Sequence, residues 1–439
     1  VKRNFLFLFL FLFATMGIHA QVTLKTSANI HSIGYQVLLT PGTDSDSSAR
    51  VTCRYRIKNG SWRDGFPPTR LMYDSMNEFR GSVFQASAAT PYEIEVTYTD
   101  SIPVVKKTVL SDTITTLREP VIQPGSNMKY VSPAGSGTAY TAGSPGNIKT
   151  LLASGLSCGT TVMVKGGTYD IGEMNLNLTT DCNEGSPIII MAVPGETPVF
   201  YGADTTTYVW TRYTADTSIF TATIKPSLEY NALCMMDSVR LYPYGLLVPS
   251  SLNPAYPALS NLGYNLSGFY RKANQVYIKT PDHKNPNNAR ILFSKYFWCL
   301  AVNGNNKNNY LYIKGITFSC YSKGKCDKDI FSNPVACYPS FTLQLKNAHH
   351  VIIDSCRFEY SNFPVTFDGV CNYNLVQNNT CIDQTGTWSH GAFKQTRDQN
   401  YLEPGSYGRY LENVGIYFTP GAGATIRNNM VRNNTIKGI

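Results

Sequence analysis

From residue 312 onward the chain repeats itself. Tyr312-Ile313-Lys314-Gly315-Ile316-Thr317-Phe318 aligns with Ile352-Ile353-Asp354-Ser355-Cys356-Arg357-Phe358 and with Leu375-Val376-Gln377-Asn378-Asn379-Thr380-Cys381. It also aligns with Thr425-Ile426-Arg427-Asn428-Asn429-Met430-Val431. Ile313, Ile353, Val376 and Ile426 form one apolar column, and Phe318, Phe358, Cys381 and Val431 form a second. The spacings are 40, 23 and 50 residues. The shortest suits one bare coil of a solenoid, and the longer ones suit coils carrying insertions. A single coil cannot bury its apolar face, whereas stacked coils share one continuous core. Asn379 and Asn429 recur at one turn position, where stacked Asn side chains can bond along the axis and Asn tolerates a left-handed backbone. The Asn378-Asn379, Asn428-Asn429 and Asn433-Asn434 pairs therefore read as structural.

The stretch ahead of the repeats names the solenoid type. Tyr130-Val131-Ser132-Pro133-Ala134-Gly135-Ser136-Gly137 reads as a strand entering a glycine turn, and Asn147 to Ala153 as one short helix. Thr161-Val162-Met163-Val164 reads as a buried strand that Lys165-Gly166-Gly167-Thr168-Tyr169 leaves, and Ser186 to Phe200 fits the next coil. This closely resembles the N-terminal entry of pectin-lyase-like right-handed parallel β-helices. The resemblance covers most of the chain from residue 129. It implies an all-β fold, a helix that caps the open end of the solenoid, and a secreted carbohydrate-active protein. Residues 203–298 read as a strand-rich, aromatic insertion (TYVWTRY, RLYPYGLL, GFYRKANQVYIKT). Repeat-like sequence continues to Ile439, so the expected solenoid is truncated at its C-terminus.

Lys2 and Arg3, a Phe/Leu run from Phe5 to Phe13 and Ile18-His19-Ala20 read as a signal peptide spanning residues 1–20. The apolar run is shorter than the ~20 residues a spanning helix needs, so no stable membrane span is expected. The expected location is secreted or at the cell surface. Residues 22–118 alternate polar and apolar in short runs (YQVLL, VTCRYRI, YEIEVTY) separated by turn clusters, the pattern of an antiparallel β-sandwich. Ala89-Thr90-Pro91-Tyr92-Glu93-Ile94-Glu95-Val96 resembles a late strand of a fibronectin type III or Ig-like domain, in which a Tyr near the strand start ties down a corner. Residues 119–128 are Pro/Gly-rich and read as a linker to the solenoid at 129–439.

Charged residues make up only 15% of the chain, and hydrophobic residues 43%, which excludes a disordered protein. Taking Lys2 and Arg3 from the 38 basic residues leaves 36 against 29 acidic. That balance suits an anionic partner such as an acidic polysaccharide, and equally suits plain solubility. No dense Lys/Arg tract points to nucleic acid, and the chain is expected to be a monomer. Eleven cysteines leave at least one unpaired within the chain. Cys158 and Cys182 flank one strand pair and are candidates for a bridge. Two of Cys320, Cys326 and Cys337 in one loop-like insertion are candidates for another, and Cys356 and Cys381 read as buried thiols. No CxxC pair supports a zinc site.

Insertions in repeat solenoids gather on one face, often the binding face. The longest one within the legible repeats lies between Cys381 and Thr425 and contains GTWSHGAFKQTRDQN at 386–400. Trp388 and Tyr407 offer flat faces for sugar rings. Lys394, Arg397 and Arg409 are cations for a uronate carboxylate or a sulfate. His390 titrates near neutrality and suits proton transfer. Asp398 and Glu403 are candidates to orient a base, act as an acid or bind Ca2+. The same side chains also read as a solvated loop surface. Asp354 and Glu359 read as exposed strand residues, and His349-His350 as a turn.

Polysaccharide lyases of the resembled superfamily abstract the proton α to a uronate carboxylate. They use a Lys, Arg or His base and a nearby cation, frequently calcium. On that reading His390, Lys394, Arg397 and Asp398 are the catalytic candidates, with Trp388, Glu403, Tyr407, Arg409, Asp368 and Asp383 binding substrate. A glycoside hydrolase on the same fold needs two carboxylates about 5–10 Å apart. Asp368, Asp383 and Asp398 follow strands of successive coils, so two of them are expected to share a cleft. The non-enzyme alternative is a glycan-binding or adhesin-like surface protein.

Overall fold

The structure, a computed structural model, describes residues 22–436 except 45, 74–75, 102–104, 226–232, 238, 242–261, 263–266, 273, 324, 327–336, 339, 384–414 and 420–428. The chain divides into two compact units between Val121 and Ile122. The first unit holds two four-stranded antiparallel sheets. One runs in the order Val22–Ala28, Ser32–Leu39, Met76–Phe84, Thr69–Tyr73. The other runs Arg63–Asp64, Arg50–Ile57, Pro91–Asp100, Lys106–Thr115. Strict alternation buries Tyr92, Ile94, Val96 and Tyr98 along one strand against Ile33, Tyr35 and Val37 from the other sheet. The Tyr92 hydroxyl accepts a hydrogen bond from the Ser87 N–H at 2.9 Å, tying down the corner before its strand.

The second unit is a right-handed parallel β-helix with three walls, the hand that parallel crossovers take. Wall one stacks Asn127–Val131, Thr160–Val164, Ile188–Ala192, Leu311–Lys314, Ile352–Asp354, Leu375–Gln377 and Met430–Arg432. Wall two stacks Gly167–Tyr169, Pro198–Tyr201, Thr317–Ser319, Arg357–Glu359, Thr380–Ile382 and Thr435–Ile436. Wall three stacks Met174–Asn177, Trp298–Asn308, Phe341–His349, Phe363–Asp368 and Ile416–Thr419. Each wall sends one column inward. In wall two the rings of Tyr169, Phe200, Phe318 and Phe358 follow one another at 5.5, 5.4 and 5.0 Å. In wall three Phe367 stacks on Phe418 at 4.4 Å. The short helix Ile148–Ala153, capped by the Asn147 side chain, adds Ile148, Leu151 and Leu152 to the same core.

Three of the four aligned rows pair as the sequence suggests, and the last does not. Val376 pairs with Val431, not Ile426, and Cys381 pairs with Ile436, not Val431. The reason is a coincidence of periods. The columns of walls one and two lie five residues apart in one coil, and the terminal sequence repeats apolar-Arg-Asn-Asn every five residues. A slip of five therefore preserves the pattern.

The asparagine reading changes accordingly. Asn379 aligns with Asn434, and Asn429 aligns with Asn374, giving two ladders. The Cys356 N–H donates to Asn379 Oδ1 at 2.9 Å, and Asn379 N–H to Asn434 Oδ1 at 3.0 Å. Val351 N–H donates to Asn374 Oδ1 at 2.8 Å, and Asn374 N–H to Asn429 Oδ1 at 3.0 Å. The residue ahead of the first ladder takes positive φ on successive coils, at Gly315, Ser355, Asn378 and Asn433. That conformation favours glycine and asparagine. Asp354 is buried rather than exposed, and accepts from Ser355 Oγ and Asn378 Nδ2 at 3.0 and 2.8 Å.

Cys158 and Cys182 are disulfide-bonded. Cys356 and Cys381 are buried free thiols facing the core. No helix among the described residues is long and apolar enough to cross a membrane.

At the corner where wall three returns to wall one, Tyr310, His350 and Tyr373 stack face to face at 4.4 and 5.0 Å. Burial pulls the His350 pKa down, His349 adds to the shift, and the Glu184 charge opposes it; burial also lowers His349. A histidine with a depressed folded-state pKa refuses a proton that the unfolded chain accepts. Its contribution to stability is complete above the unfolded value of about 6.5 and is lost as pH falls below it toward the folded value. Denaturant midpoints measured from about pH 7.5 down to about pH 5 should therefore fall, and His350→Gln should flatten the slope. An unchanged slope in that variant would remove His350 from the account.

Candidate active site

The three corners of the solenoid are used unequally. Wall one passes to wall two in at most five residues, at 193–197. Wall three returns to wall one in ten residues or fewer, at 178–187, 309–310, 350–351, 369–374 and 420–429. Every longer excursion leaves from the corner between walls two and three. These are residues 202–297, 320–340 and 383–415, while 170–173 and 360–362 turn the same corner briefly. The excursion at 202–297 builds two antiparallel sheets around Trp210, Phe220, Phe269 and Phe293. The segment 386–400 thus belongs to the corner from which the largest insertion also departs.

Trp388, His390, Lys394, Arg397, Asp398, Glu403, Tyr407 and Arg409 all lie outside the described residues. Asp383 and Asp368 lie within them. Asp383 is exposed and directly follows the wall-two strand Thr380–Ile382, at the base of the 384–414 segment. Asp368 closes the wall-three strand Phe363–Asp368, at the opposite corner. A six-residue strand separates the two corners by about 16 Å. Asp368 and Asp383 thus follow strands that end at different corners, and Asp398, the third of the acids expected to supply a pair, lies outside the described residues. The two acids follow strands of different walls, and sequence spacing does not reveal the wall.

The described residues add groups that the sequence reading passed over. Asp170 accepts hydrogen bonds from the Tyr296 hydroxyl at 2.7 Å and from Lys295 Nζ at 2.9 Å. Burial alone would raise the Asp170 pKa, but those two hydrogen bonds and the lysine charge outweigh it and hold the carboxyl below its usual range. Burial opposes the charge on Lys295, yet its contacts with Tyr296 and Asp170 raise its pKa and keep the ammonium charged. The Phe297 N–H donates to Glu173 Oε1 at 2.7 Å, so the returning insertion is pinned to the first coil at two points. Tyr296 stacks near Tyr321 at 6.3 Å, and Lys323 Nζ sits 5.0 Å from the Phe297 ring centre.

Further along the same corner, Arg357 Nε donates to Glu359 Oε2 at 3.0 Å. Burial raises the Tyr360 pKa, and the nearby charges of Asp383 and then Glu359 raise it further. Glu359 and Asp383 therefore both bear on one phenol from adjacent coils. Both facts were readable only from the register, since each residue sits beside a wall boundary that the repeats alone do not mark.

Among the described residues one carboxylate trio, Asp44, Asp46 and Asp100, has oxygens within 4.8 Å of one another. It lies in the first unit, and Arg70 already pairs with Asp44 there.

No family model matches the chain, and no curated protein matches it. Among solved structures, the family 28 exopolygalacturonase of Yersinia enterocolitica is similar at 12% identity and a TM-score of 0.21. That likeness covers 82% of this chain and 63% of the other, so this chain spans less than two thirds of that neighbour's length. At that score the fold rests on the strand pairing itself.

Proposed function

We propose that the protein is a secreted enzyme that cleaves an acidic, uronate-containing polysaccharide by β-elimination at the corner between walls two and three. The observation that carries this reading is the exit of all three long insertions from that one corner. The segment holding His390, Lys394, Arg397 and Asp398 is among them. In the mechanism, a cation draws the uronate carboxylate into place and lowers the cost of the carbanion that forms beside it. Lys394 and Arg397 take that part, and His390 removes the α-proton; the electron pair left behind becomes the new C=C bond as the β-placed glycosidic C–O bond breaks, and the leaving oxygen takes up a proton from the protonated base or from water. Trp388 and Tyr407 hold the sugar faces, with Arg409 and Glu403 on the polar rims. Asp398 orients the base. Calcium bound by acidic side chains would neutralise the same carboxylate.

A second reading, hydrolysis on the same fold, is favoured by Glu359 and Asp383 lying on adjacent coils around Tyr360. Two carboxyls at that step resemble the pair a glycosidase needs.

One incubation separates the readings. The full chain is mixed with pectic, alginate and sulfated polysaccharides, with and without a chelator. Elimination yields an unsaturated product that absorbs in the ultraviolet. Hydrolysis yields new reducing ends without that absorbance. Binding with neither product overturns both enzyme readings and leaves a glycan-binding protein.

A further inference from the structure

We propose that Arg290 and Tyr201 form a subsite for the carboxylate of an acidic sugar, on the outer face of wall two at its corner with wall three. Tyr201 closes the wall-two strand Pro198–Tyr201, and the excursion at 202–297 leaves directly after it. Arg290 returns on that excursion, and its Nη2 donates to the Tyr201 hydroxyl at 3.5 Å. The Arg290 backbone is fixed by a turn. Its N–H donates to Asp237 Oδ1 at 2.9 Å, and its carbonyl accepts from the Asp237 N–H at 2.8 Å. The strand that follows, Ile291–Ser294, lies between Ala203–Asp204 and Cys234–Met236 in one antiparallel sheet. The guanidinium is therefore carried by a paired strand.

Nothing beside that guanidinium cancels its charge. Arg290 is exposed, and among the described residues no carboxylate forms an ion pair with it. Asp237 directs Oδ1 to the Arg290 N–H instead. Burial raises the Tyr201 pKa, Cys320 adds to the shift and Arg290 opposes it, so the phenol stays protonated. Burial also pushes the pKa of Cys320, a buried free thiol, up to about 11. Arg290 thus acts on two neutral groups. With Nη2 turned to Tyr201, Nε and Nη1 remain for a carboxylate, which arginine grips with two parallel hydrogen bonds.

The register sets the reach. Tyr201, Ser319 and Glu359 occupy one outward row on successive coils. Two strand spacings separate the Cα atoms of Tyr201 and Glu359, about 10 Å. Arg290 and Glu359 act with opposite sign on both Tyr201 and Cys320, so the two charges reach one patch. That span suits a short acidic oligosaccharide lying along the solenoid axis. One of its carboxylates meets Arg290, and a neighbouring linkage lies beside Glu359 and Asp383. The inference rests on the reading of this corner as an acidic-glycan site. It adds the residue that selects a uronate over its neutral counterpart.

The test titrates the full chain, by calorimetry, with oligogalacturonate, oligomannuronate and fully methyl-esterified oligogalacturonate. Arg290→Gln should weaken binding of whichever acidic probe the unaltered chain takes by about 10-fold. The esterified probe, which carries no charge, should bind both forms alike. Unchanged affinity for the acidic probe in Arg290→Gln, or an equal loss for the esterified probe, overturns the subsite and leaves the reading of the corner standing. Failure of the unaltered chain to bind either acidic probe overturns both.

Discussion

Truncating Phe358 to alanine should lower the unfolding free energy of the solenoid by about 3–5 kcal/mol. The ring is fully buried and stacks on Phe318 at 5.0 Å with planes 6° apart. Below Phe318 the column continues through Phe200 and Tyr169. Above Phe358 its partner is the smaller Cys381, so no large neighbour can swing in to fill the gap. The loss thus combines the transfer term with a cavity that the stacked coils cannot close. Urea unfolding at constant slope measures the effect. Phe66→Ala supplies the control, because that ring is 73% exposed in the sandwich and its loss should cost less than about 0.5 kcal/mol. A Phe358→Ala loss below about 1 kcal/mol would contradict a shared solenoid core.

The largest effect on activity is expected at His390. Removing a general base typically costs about 10²–10⁴ in rate. His390→Ala should therefore reduce kcat by that factor with KM little changed. Arg397→Ala should act differently. A charge-assisted hydrogen bond to a uronate carboxylate is worth about 1.5–3 kcal/mol, so kcat/KM should fall about 10- to 100-fold through a raised KM and a lowered kcat together, while the denaturation midpoint stays put. Equal losses in both variants together with a lowered midpoint would mean that these side chains hold the loop's shape and do not meet substrate.

Much of the solenoid was legible because its physics is local. Ile313, Ile353 and Val376 must all be apolar to share a core, and the bare coil from Ile353 to Val376 spans 23 residues. The entry strand, the Asn147-capped helix and the Cys158–Cys182 pair followed from short motifs. The final coil was misread because a five-residue repeat cannot distinguish wall one from wall two. Only strand pairing shows that Val431, not Ile426, continues the column. The same blindness hid the corner chemistry. Asp170 and Lys295 are 125 positions apart, and an insertion with its own core separates them. Asp368 and Asp383 are fifteen positions apart, yet open onto different corners. Sequence distance does not carry position around the coil.

The proposed function requires an acidic glycan to be held and cut at the corner between walls two and three. Crystallising the full-length His390→Ala variant with an acidic oligosaccharide tests this most directly. Sugar rings are expected along that corner, beside Glu359 and Asp383. Sugar bound at the Tyr310–His350–Tyr373 corner, or on the first unit alone, would contradict it.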